Sequence, residues 1–216
     1  MPVPLKPQNS TPDPTSIARR AQELRGLLHG ADPLLLAART GCVFVEDQPG
    51  EGAFEVAFWG QPVRLSYPEF TARDSRTAAD LPPFIQAMLL YYFNTADGTP
   101  LTGRWISFAD LPDGRFYNQA FQGYTGAELQ RHFKNDPEAL RQASLRASGS
   151  LIKGSPGDYA FYFQALPRFP LLLVIWEGDE DFPPSFQLLF DAAAAHYLPT
   201  DACAILGSSL TSRLKK

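Results

Sequence analysis

Two runs late in the chain, Asp158-Tyr159-Ala160-Phe161-Tyr162-Phe163-Gln164 and Leu171-Leu172-Leu173-Val174-Ile175-Trp176, decide the fold class. The first carries rings on both sides of an extended chain, with Tyr159, Phe161 and Phe163 set against Tyr162. The second is apolar on both sides, the pattern of an interior strand covered above and below. Upstream, from Gly41, come three shorter β-like runs, Val43–Val45, Phe54–Phe58 and Pro62–Leu65, punctuated by Gly50, Gly52 and Gly60. Links this short require antiparallel pairing. Arg104 to Phe108 reads as a further extended segment.

Around these runs the apolar period becomes helical. Thr15 to Gly30 places Ile17, Ala21, Leu24, Leu27 and Leu28 on one face, and Pro33 to Arg39 follows Asp32 as its cap; the two are read as an αα-hairpin. Asp80-Leu81-Pro82-Pro83 opens a helix to about Thr95 that is apolar over most of its circumference, which predicts a central place in the packing. Thr125-Gly126-Ala127-Glu128 fits a capping box for a helix to Lys134, and Asp136-Pro137 starts another to Ser148. Ser185 to Ala195 is read as a helix with Phe186, Leu189, Phe190 and Ala193 inward. A last helix is expected from Thr200 to Arg213. Residues 115 to 124 show no clear period. Residues 1 to 14 hold five prolines and read as a flexible tail. The expectation is one α+β domain over residues 15 to 216. Its antiparallel or mixed sheet, from segments near 43–65, 104–108, 151–163 and 171–176, is flanked by helices.

Charge narrows the function classes. The 216 residues carry 19 Lys and Arg against 23 Asp and Glu, a net charge of −4, which argues against a nucleic-acid partner. Their longest aliphatic-aromatic run, Leu171 to Trp176, is far short of the roughly 20 residues of a membrane span. The start lacks the apolar stretch of a secretory signal, so a cytoplasmic protein with reduced Cys42 and Cys203 is expected. From Phe169 to Ser212 there is no lysine or arginine, and four of the acids there, Glu177, Asp179, Glu180 and Asp181, stand between the strongest strand and the next element. The plain reading of that cluster is a solvated turn. A hard-cation site on Asp179, Glu180 and Asp181 is the sharper one, although the spacing is not that of an EF-hand. A third reading makes segment 177–191 a docking surface for a basic protein partner.

Nucleophile and phosphate motifs are missing. Gly207-Ser208-Ser209 lacks the spacing of a nucleophile elbow, and in Gly149 to Ser155 the lysine precedes the second glycine instead of following it. No catalytic residue is assigned, and no cofactor is identified. His29 and His132 read as helix-end histidines. His196 reads the same way, or as a ligand to a metallocofactor, for which Asp191, five residues upstream, is poorly spaced as an orienting partner. Trp105, Tyr124, Tyr159 and Tyr162 belong to an aromatic-rich middle of the chain. Their default role is core. Their functional role, with His196, is to line a cleft for a small ligand.

Several strings together resemble the domain-of-unknown-function 3786 family. They are Leu101 to Gly114 (LTGRWISFADLPDG), Gly157-Asp158-Tyr159-Ala160-Phe161, Ala165 to Pro170 (ALPRFP), Trp176 to Pro183 (WEGDEDFP), Leu189-Phe190-Asp191 and His196-Tyr197-Leu198-Pro199. The resemblance implies a bacterial or archaeal protein of no established activity and supplies no catalytic residues. Some relatives carry a cysteine-rich iron–sulfur segment of the kind seen in corrinoid proteins, and this chain has none. Three readings follow. The first is a binding or accessory protein holding a small ligand or tetrapyrrole-type cofactor in an aromatic-lined cleft. The second is a carboxylate- or divalent-metal-dependent enzyme. The third is an acidic protein-interaction module.

Overall fold

The two runs that decide the fold class are neighbouring antiparallel strands in the computed structural model, which describes residues 14–134, 136–153 and 156–216. The fold is α+β, and both of its sheets are antiparallel. By its contacts the chain forms two compact units, Met1–Thr99 with His196–Ala202, and Pro100–Ala195 with Cys203–Lys216. The tail expected over residues 1–14 lies outside the described residues, apart from Pro14, which begins the first helix.

In the first unit, α1 (Pro14–Leu28) is followed by α2 (Pro33–Thr40), where the Asp32 carboxylate accepts from the Leu34 and Leu35 amides at 2.8 and 3.3 Å. Ala21, Leu24 and Leu28 are buried as the helical period requires, but Leu27 is 71% exposed and leaves the predicted stripe. Strands β1 (Val43–Gln48), β2 (Glu51–Phe58), β3 (Gln61–Tyr67) and β4 (Ala72–Asp74) pair in chain order. Trp59 and Gly60, both at positive φ, make the two-residue turn between β2 and β3, the geometry that matches strand twist. The central helix is α3 (Pro83–Thr95), buried continuously from Gln86 to Phe93. Phe93 meets Phe54 of β2 edge-on at 4.8 Å, and the Tyr92 hydroxyl donates to the Thr40 carbonyl at 2.6 Å.

Gln86 explains how a polar residue sits inside that helix. Its side-chain oxygen accepts from the Ala72 amide and from Arg25, both at 3.0 Å, and its nitrogen donates to the Ala72 and Leu81 carbonyls at 3.1 and 3.2 Å. The carboxamide therefore acts as one more rung beside β4, with every hydrogen-bonding site used.

The second unit is built on a separate five-stranded sheet in the order β5-β9-β8-β7-β6. Its strands are β5 (Trp105–Ser107), β6 (Ser150–Ile152), β7 (Tyr159–Leu166), β8 (Phe169–Trp176) and β9 (Ser185–Asp191). Two predictions are corrected here. The single sheet is two sheets, because β1 to β4 pair only among themselves. Residues 185–191 form a strand, not a helix. Phe186, Leu188 and Phe190 alternate as in a sheet, and the full ladder to β8 fixes the extended form. The helices are α4 (Gly114–Tyr124), α5 (Gly126–Phe133), α6 (Pro137–Arg146) and α7 (Thr200–Leu214). Helix α4 gave no sequence signal because Phe116, 84% exposed, breaks the apolar stripe that Phe121 belongs to. The expected capping box at Thr125 does not form. Its hydroxyl donates back to the Phe121 carbonyl at 2.6 Å, and Glu128 pairs instead with Arg131 and Lys215. Asp136 does cap α6, accepting from the Ala139 amide at 2.8 Å.

Replacing Gln86 by Leu strands the Ala72 amide and two carbonyls in a buried setting, so a loss of about 2 kcal/mol is expected. Urea unfolding followed by circular dichroism measures it, and a change below about 0.5 kcal/mol removes the network from the account of stability.

Candidate functional site

Alternation along the second sheet sorts its side chains onto two faces. On one face, Phe190 packs tilted against Phe121 of the helical layer, with ring centroids at 5.8 Å, and Phe108 lies parallel to Phe121 at 4.2 Å. On the other face Ala160 of β7, Leu172 and Val174 of β8, and Leu189 of β9 form a floor exposed by 7% or less. Three half-buried rings pack against this floor: Trp105, Tyr162 and Trp176. Trp105 and Tyr162 meet edge to face at 6.1 Å. The Tyr162 hydroxyl donates to Gln164 Oε1, and its ionisation is pushed up by burial and then by the nearby negative charge of Asp191, so the phenol stays a neutral donor.

Trp105 is positioned by Asp191. The two are opposite each other in the β5–β9 ladder. Asp191 is 2% exposed, and its carboxylate is fully engaged. Oδ1 accepts from the Thr102 amide and hydroxyl, each at 3.1 Å, and from the Ala193 amide at 2.8 Å; Oδ2 accepts from the Gly103 amide at 2.7 Å. One buried charge thus fixes the loop that leads into β5. With its lone pairs taken by donors of the chain, it serves as an anchor and not as an acid or base.

The other predicted ring positions lie apart from this face. Tyr159 points to the opposite side of β7, against Phe161 at 6.0 Å, where burial and then the charge of Glu177 raise its ionisation to about 12. Tyr124 packs on Phe121 at 5.7 Å and is raised by burial alone. His196 belongs to the first unit. Its Nδ1 lies 2.7 Å from Asp97 Oδ2 and 3.2 Å from Thr99 Oγ1, and the Asp97 amide donates to the His196 carbonyl at 3.3 Å. Donation from His196 chiefly, then from Thr99, holds the Asp97 carboxyl down at about 2. The imidazole is thus oriented through Nδ1, and its side chain is 49% exposed. Sequence spacing could not reveal this partner, 99 positions away.

The acidic loop borders a concavity of about 480 Å³ with Ile175, Phe186, Pro137, Pro184 and Lys134 among its walls. Within it the Asp179 carboxylate turns inward on its own loop, accepting from the Asp181 and Phe182 amides at 2.9 and 2.8 Å. Glu180 and Asp181 are exposed. Asp191 does not join them, since it ends β9 at the far side from Ser185, about 20 Å along the strand. Among the described residues no three His, Cys, Asp or Glu side chains form a group able to hold a metal ion. Cys42 and Cys203 are buried thiols, and burial pushes Cys42 up to about 11, away from thiolate chemistry.

Trp176 was the ring that sequence reading left out. Its phase with Leu172 and Val174 in a period of two carried the signal, masked by an otherwise uniform apolar run.

Two outcomes follow from these geometries. Asp191→Asn puts an amide donor against N–H groups and is expected to cost about 2 kcal/mol, with a change in Trp105 emission marking the loosened loop. Asp97 adds stability that is complete above about pH 4 and is lost as the pH falls through about 2. Because both partners are about half exposed, the effect stays under about 1 kcal/mol. A carboxyl-carbon NMR titration tests this; an ordinary Asp97 midpoint, or no rise in it on His196→Ala, contradicts the pairing.

A family model described as "Domain of unknown function (DUF3786)" matches residues 32–213, most of the chain. Comparison with curated proteins and with solved structures gave no match. Among the described residues no helix is long and apolar enough to cross a membrane.

Proposed function

Since the chain belongs to the DUF3786 family, which is described only as a domain of unknown function, we propose its function from the face its rings build: it is a binding or accessory protein that holds a flat, largely apolar small molecule against Trp105, Tyr162 and Trp176. The observation that carries this reading is the placement of three half-buried rings from three strands on one side of the sheet, above a floor that is itself closed. The floor needs no further cover, so the outer surfaces of the rings are what remains for a ligand. Aromatic stacking on such a platform contributes about 1–3 kcal/mol per ring and suits any planar π-system. A tetrapyrrole-type cofactor is the large member of that class.

A second reading, docking of a basic protein segment on the acidic loop, draws support from the concavity there and from Phe182, 71% exposed on its rim. Such binding weakens as salt is raised.

The test of the main reading is quenching of tryptophan emission by protoporphyrin IX, with absorbance and native mass spectra of protein taken from its own host. Saturable quenching is expected, weakened about tenfold by Tyr162→Ala or Trp105→Ala and unchanged by Phe116→Ala. Absence of both quenching and any co-purified small molecule removes the reading.

A further inference from the structure

We draw no further inference here: the strongest candidate, the concavity bordered by the acidic loop between β8 and β9, rests on clustered carboxylates, and nothing in the structure shows what covers it.

Discussion

A carboxylate shut away from water must have its charge answered by donors, and Asp191 is answered by four. Three come from backbone N–H groups and one from the Thr102 hydroxyl, so the residues that satisfy it are held wherever the carboxylate is. The Ala192 amide adds a second tether, donating to the Arg104 carbonyl at 2.8 Å, and β5 itself is only three residues long. The position of Trp105 on the sheet is therefore set by polar contacts at this end of the ladder, although its ring packs on an apolar floor and on Tyr162. Desolvation makes this arrangement demanding: with one donor removed, a buried charge is left short of a partner at a cost larger than the bond was worth.

The two faces of the second sheet show how one strand pattern yields two environments. β8 is buried along nearly its full length, but its odd and even residues meet different neighbours. Leu171 and Leu173 share a face with the helical layer, where Phe121 and Phe190 interlock. Leu172 and Val174 are covered by rings that remain partly in solvent. Hydrophobicity closes the floor on that side, and half-buried indoles and phenols are what such a boundary favours.

How much of this was readable beforehand depended on the range of the forces involved. Local signals worked where the physics is local. Asp32 and Asp136 announced their helices because a cap needs only amides two or three residues away. The continuous apolar surface of α3 announced its burial. Reading failed where distant pairing decides. Ser185 to Asp191 has an apolar spacing that suits either period, and only the ladder to β8 makes it extended. Thr125 had the right residue type and spacing for a cap, but its hydroxyl found the carbonyl of the preceding helix first. Of the proposed ring positions, Trp105 and Tyr162 come together, whereas Tyr124 and Tyr159 sit on the other side of the sheet. A parity count along β7 separates Tyr159 from Tyr162, and no count along the sequence brings Trp105 across two strands to meet Tyr162.

The outer strands of the larger sheet, β5 and β6, each contribute just three residues beside eight-residue and seven-residue neighbours. A foreign chain arriving at either border would find only a brief row of free amide and carbonyl groups to copy. The sheet is thus poorly suited to templating growth by end-on recruitment, and its aromatic wealth is kept from becoming a seed for fibres.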